Sequence, residues 1–233
     1  MHGFLGEFFG TLILILFGCG ANASNSLKKT YGQNTGWLFI CLAWGFAVTM
    51  GVYVAGVFGS QGHLNPAVTL PFALFGRFPW SQVFPYLTGQ FLGAFIGAAL
   101  VVAQFYPHFL VTRGGGNNVG IFATRPAIQR PGFNFLSEVI ATAIFVFTLL
   151  NLGNFTTGLK PVVVGLLIFM VGAGLGTTTG FAINPARDWA PRLVYTILPV
   201  PNKGSAEWNY AWVPMFGPLL GAIIACGLEM LVG

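Results

Sequence analysis

Two copies of one short phrase interrupt an otherwise apolar chain: Gly62-His63-Leu64-Asn65-Pro66-Ala67 and Gly180-Phe181-Ala182-Ile183-Asn184-Pro185-Ala186-Arg187-Asp188. In each, Asn is a good helix N-cap, and Pro suits the first helical turn, where its missing N–H is not needed. Each phrase therefore reads as the start of a helix. The apolar piece after the first, 66–75, has about half the ~20 residues needed to cross a bilayer core. A similar piece, 185–197, follows the second. Such half-helices enter a membrane without crossing it, and their amino ends carry free N–H donors and partial positive charge. Backbone of that kind is tolerated at depth only inside protein or beside water, which implies a polar opening between the two ends.

Composition agrees with a lipid setting. The chain has 233 residues, of which 55% are hydrophobic and only 6% charged, against about a quarter charged in soluble domains. Ten Lys/Arg against five Asp/Glu give a net charge of +5. That excess is scattered over loops without a basic block, which argues against a nucleic-acid partner. Cys19, Cys41 and Cys226 lie in apolar stretches without metal-ligand spacing and read as small buried hydrophobes. No cofactor and no catalytic constellation is implied. Asn22-Ala23-Ser24 and Asn154-Phe155-Thr156 match the glycosylation acceptor pattern, which recurs by chance.

Six apolar stretches read as membrane spans: 3–22, 36–57, 83–105, 134–152, 161–175 and 211–232. The first competes with a secretory signal, but no Lys or Arg precedes it. Phe4-Leu5-Gly6-Glu7 recurs as Phe135-Leu136-Ser137-Glu138, and Gly89-Gln90-Phe91-Leu92-Gly93-Ala94 recurs as Gly217-Pro218-Leu219-Leu220-Gly221-Ala222. The order span, span, half-helix, span thus occurs twice. Three spans per copy invert the second copy relative to the first, sending the half-helices in from opposite faces. The expected fold is an all-α membrane protein of six transmembrane helices and two re-entrant half-helices around a central pore. It forms one domain, 1–233, with repeat one at 1–106, a connecting loop at 107–132 and repeat two at 133–233. Gly89, Gly93 and Gly97, and likewise Gly217 and Gly221, are spaced for close helix approach in lipid.

The paired Asn-Pro-Ala boxes, the Glu in the first and fourth spans and the span order resemble the aquaporin (major intrinsic protein) family over essentially the whole chain. Asp188 directly after Arg187, and Pro214-Met215, resemble its glycerol-facilitator (aquaglyceroporin) branch. The resemblance implies a passive channel for glycerol and other small neutral solutes, with water, rather than an enzyme. It implies a selectivity ring of Trp44, Gly172, Phe181 and Arg187, and boxes formed by Asn65, Pro66, Ala67 and Asn184, Pro185, Ala186. It further implies extended segments, Gly62-His63-Leu64 and Phe181-Ala182-Ile183, whose carbonyls line the passage. A homotetramer in the plasma membrane, amino terminus in the cytoplasm, is the implied assembly.

Arg187, three residues after the second Asn, sits one turn into its half-helix, where a guanidinium can hold two hydroxyl oxygens. Trp44 and Phe181 offer apolar walls, and His63 reads as a hydrogen-bonded structural residue. Glu7 and Glu138 have two readings: proton coupling, or acceptance of hydrogen bonds from the re-entrant loop of their own half. Asp188 reads as ordering its loop, with Arg192 as a partner. Rival functions are a water-selective pore, a channel for lactic acid, dihydroxyacetone or hydrogen peroxide, and a coupled transporter. Eight of the ten Lys/Arg lie in the first, third and fifth connections. The positive-inside rule applied to them places the amino terminus outside, against the family orientation.

Overall fold

The computed structural model describes residues 2–114 and 118–232, the side chain of His2 excepted. Its order is α1 (His2–Ser26), α2 (Trp37–Val57), α3 (Pro66–Leu74), α4 (Trp80–Val111), a 3-10 turn (Asn118–Ile121), α5 (Pro131–Leu150), α6 (Lys160–Gly174), α7 (Pro185–Ile197) and α8 (Trp212–Val232). Helix α1, read from Gly3, and α2, α4, α5 and α8 are long and apolar enough to cross a membrane. Helix α6 is equally apolar but has only 15 residues. Helices α3 and α7, with 9 and 13 residues, are the half-helices. In lipid every backbone N–H and C=O needs an internal partner, which is why the apolar runs settle as helices.

Helix α4 departs most from the sequence reading, continuing to Val111 rather than ending near 105. Pro107 removes one helical hydrogen bond, yet the helix continues because Phe109 is fully buried and stacks on Phe122 at 6.0 Å. Tertiary burial there outweighs the local break signal.

Helix α1 packs on α4 and α2, α5 on α8, and α2 on α6. Each half-helix also reaches into the opposite half of the chain, α3 against α8 and α7 against α4. The α1–α4 seam depends on glycine. A Cβ at Gly93 would lie 2.2 Å from the carbonyl oxygen of Phe8, and one at Gly97 2.7 Å from that of Leu12. At Gly221 the matching distance, to the Val139 carbonyl, is 2.3 Å, so both halves use the same close backbone approach. Large apolar side chains such as Leu38, Phe46, Phe84, Ile144 and Met170 face outward, while Glu7, Gln90, Glu138, Asp188 and Arg192 are fully buried. The helices turn apolar side chains outward and keep these charged and amide groups inside.

Gly93→Ala should lower the unfolding temperature of the detergent-solubilised protein. Gly56→Ala, where an added Cβ meets nothing within 4 Å, should leave it within about a degree.

Candidate functional site

The two Asn-Pro-Ala boxes meet through their side chains. Asn65 Nδ2 donates to the Ile183 carbonyl at 2.8 Å, and Asn184 Nδ2 donates to the Leu64 carbonyl at 2.7 Å. Each Asn also caps its own half-helix: Asn65 Oδ1 accepts from Ala67 N at 2.8 Å, and Asn184 Oδ1 from Ala186 N at 3.0 Å and Arg187 N at 3.2 Å. A carboxamide has two donor hydrogens, so each keeps one N–H beyond its cross-bond. Pro66 and Pro185 hold the first helical positions, followed by buried Ala67 and Ala186.

The segments before the boxes are forced into unusual backbone. Leu64, Phe181 and Ile183 have φ of 52°, 40° and 43°, beside Gly62 at 68° and Gly180 at 87°. Left-handed backbone at a β-branched residue such as Ile183 costs on the order of 1–3 kcal/mol and persists only where the surroundings impose it. Two buried carboxylates impose it. Glu7 accepts from Ser60 Oγ at 2.6 Å, His63 N at 2.9 Å, Leu64 N at 2.7 Å and Gln90 Nε2 at 2.7 Å. Glu138 accepts from Ala182 N at 3.0 Å and Ile183 N at 2.9 Å. Charge-assisted bonds of this kind offset the burial of the carboxylate and fix the loop N–H groups away from the lumen. His63 is wedged between Phe72, Phe78 and Tyr86, with Nδ1 3.1 Å from Thr69 Oγ1 and Nε2 3.3 Å from Gln61 Oε1.

Trp44, Phe181 and Arg187 converge on the other side of the boxes, each no more than 5% exposed. The Arg187 guanidinium carbon lies 3.9 Å from the Trp44 ring centre, and its Nη1 donates to the Phe122 carbonyl at 3.1 Å. Phe181 is held edge-on by Trp37 at 5.6 Å, and Trp37 Nε1 donates to the Gly172 carbonyl at 3.1 Å. A Cβ at Gly172 would stand 2.9 Å from Phe181 Cζ, so glycine there makes room for the phenyl ring. Two cavities meet at this ring. One, about 520 Å³, runs past both Asn residues toward Gln61 and Lys160 on the face carrying the chain ends. The other, about 190 Å³, opens beside Asn25, Trp37 and Arg125 on the opposite face. Trp44, Phe181 and Arg187 line both.

Asp188, next to Arg187, points away from the ring. It accepts from Thr124 N and Thr124 Oγ1, both at 2.7 Å, and pairs with Arg192 Nε at 2.8 Å. Arg192 also donates to the carbonyls of Thr124, Ala206 and Glu207, tying two loops to α7.

Four partners in this site have roles that the sequence reading did not assign: Ser60, Gln90, Asn22 and Phe122. The first two share the Glu7 carboxylate, and the last two touch the ring residues. Asn22 stands out only as the start of a glycosylation pattern, which has a different meaning in the fold, since Asn22 is buried in α1 with its carboxamide bonded inward.

This arrangement of opposed half-helices, paired Asn caps and a lined passage is that of a membrane channel. The Major intrinsic protein family profile matches residues 1–228, and the chain belongs to that family. It is 70% identical to glycerol uptake facilitator protein 2 of Lactiplantibacillus plantarum over 100% of both chains. It is 47% identical to the glycerol uptake facilitator protein of Streptococcus pneumoniae strain R6, covering 97% of each. Among solved structures, the aquaglyceroporin from Plasmodium falciparum superposes with a TM-score of 0.85 at 30% identity, covering 98% of this chain and 94% of that one.

Replacing Asp188 by Ala leaves the Arg192 guanidinium buried without its counter-charge. The expected loss is about 3–5 kcal/mol of stability, read by thermal unfolding in detergent. Glu229→Ala, which breaks the more exposed pair with Arg77, should cost under ~1 kcal/mol in the same assay.

Proposed function

We propose that this protein is a passive channel for glycerol and similar small neutral polyols, with water, and that Trp44, Gly172, Phe181 and Arg187 form its selectivity ring. The observation that carries the reading is the sidedness of that ring. Phe181 and the uncovered part of Trp44 supply apolar lining, and the Arg187 guanidinium, which lies over the Trp44 ring and donates to the Phe122 carbonyl, supplies donors beside it. A polyol has the same two sides, a carbon edge and a hydroxyl edge. Hydroxyl oxygens accept from Arg187, while the carbon edge slides over the aromatic faces, so desolvation costs little on either side.

Beyond the ring, the free N–H of Asn65 and of Asn184 each donates to a passing oxygen. Carbonyls of Gly62, His63 and Ala182 accept from its hydroxyls, while those of Leu64 and Ile183 are shared with the Asn carboxamides. The amino ends of α3 and α7 place partial positive charge at the same level, which excludes cations and interrupts a proton wire, as is general for aquaporin-type pores. Glu7 and Glu138 serve as fixed acceptors for the re-entrant loops rather than as a proton relay. Their bonds to Ser60, His63, Leu64 and Gln90 and to Ala182 and Ile183 go to loop or neighbouring donors, which supports that choice. Asp188 keeps α7 and the loop at Thr124 together.

The same reading includes a homotetramer with one pore per subunit, in the plasma membrane with the chain ends cytoplasmic. Lys28, Lys29, Arg113, Arg125, Arg130 and Lys203 all lie in connections on the opposite face, so charge alone favours the reverse orientation. Protease accessibility of a tag at residue 1 in intact cells decides between the two.

Proteoliposomes in a glycerol gradient should re-swell rapidly in light-scattering measurements, while sorbitol gradients should give only shrinkage. Phe181→His should cut glycerol flux by about ten-fold and water flux much less; equal losses of both would count against the ring.

A further inference from the structure

Asn22, near the end of α1, is buried beside the ring, and its side-chain bonds to Trp44, Gly120 and Ile121 all leave its own helix. Its Oδ1 accepts from Trp44 Nε1 at 3.1 Å. Its Nδ2 donates to the carbonyls of Gly120 and Ile121 at 3.3 and 3.2 Å. The next carbonyl along that turn, Phe122, accepts from Arg187 Nη1 at 3.1 Å, and Arg187 in turn lies over the Trp44 ring. The contacts therefore close a circuit: Asn22 to Trp44, Trp44 to Arg187, Arg187 to the 120–122 turn, and the turn back to Asn22.

Trp44 has little other polar restraint. Its indole edge rests on Gly18, where an added Cβ would come within 2.4 Å of Cζ3, so the ring is seated by shape below and by Asn22 at its nitrogen. With Nε1 satisfied by Asn22 and one ring face under the Arg187 guanidinium, the rest of the indole offers only carbon to the passage. Without that bond the N–H would need another partner, and the ring would be free to turn toward any oxygen in the passage.

We propose that Asn22 is a positioning residue for solute selection: it fixes the orientation of Trp44 against Arg187 and couples both to the 118–122 turn of the connecting loop. This inference rests on the reading of Trp44, Phe181 and Arg187 as the selectivity ring. Asn22 touches no solute; it acts through Trp44. Its loss should therefore blur discrimination between solutes rather than scale all fluxes equally.

The test measures water, glycerol and erythritol permeability of proteoliposomes carrying the full chain, its Asn22→Leu variant, Trp44→Phe, and the double variant. Leu keeps the branching of Asn at Cγ, in a somewhat larger volume, while removing every side-chain hydrogen bond. Glycerol flux through the unaltered protein tests the channel reading by itself, and the variants test Asn22. Losing the bond to Trp44 should change the glycerol-to-erythritol permeability ratio about three-fold or more in N22L. N22L should add nothing to that ratio when Trp44 is already Phe. Should N22L fail to insert, Asn22→Ala is read in the same way. An unchanged ratio in the single variant would overturn the proposal. So would an equal further change on the W44F background, which would leave Asn22 as an anchor for the loop alone.

Discussion

Everything in this molecule depends on satisfying two helix amino ends at the centre of a bilayer. Water cannot be assumed there, and an unpaired backbone donor is costly. The solution is reciprocal: each Asn caps its own half-helix with its oxygen and bonds the other half's backbone with its nitrogen. The strained residues before each Asn follow from that geometry, since Leu64 and Ile183 offer their carbonyls across the axis only in left-handed backbone. The buried carboxylates then hold the donors those conformations turn inward. The close-packed glycine seams bring the helices carrying Glu7 and Glu138 near enough to do so.

The ring beside Arg187 follows a second principle. A guanidinium buried to 5% exposure needs partners, and here it has a carbonyl, an indole face and the passage itself. The neighbouring carboxylate, Asp188, is spent on Arg192 and Thr124 and not on Arg187. Two adjacent charged residues in one helical turn thus divide their work, one toward the lumen and one toward the scaffold.

The half-helices were the most legible part of the chain. Helix α7 runs over the residues the pattern indicates, 185 to 197; its start follows from an Asn cap followed by Pro, and it ends just before Pro199. The spans were legible as apolar runs, and their ends less so: α4 outlasts its Pro107 through burial of Phe109, a contact with a residue in the next connection. The box and ring residues could be placed from the motifs and the family resemblance. Their supports could not. Ser60 and Gln90 lie 53 and 83 residues from Glu7, and Phe122 lies 65 from Arg187, so no periodicity or spacing announces them. Asn22 was visible only as the start of a glycosylation pattern, and the fold alone gives it Trp44 as a partner.

The reciprocal caps also bear on how the chain is made. While α3 is being synthesised, the carbonyl that Asn65 bonds, Ile183, is more than a hundred residues from emerging, and so is the donor that Leu64 accepts. The first half therefore enters the bilayer with its re-entrant segment incompletely bonded. Until residues 183 and 184 are made, the Asn65 carboxamide and the Leu64 carbonyl lack these two partners. The bonding of the first re-entrant segment is thus completed only by the second, so neither half is finished without the other.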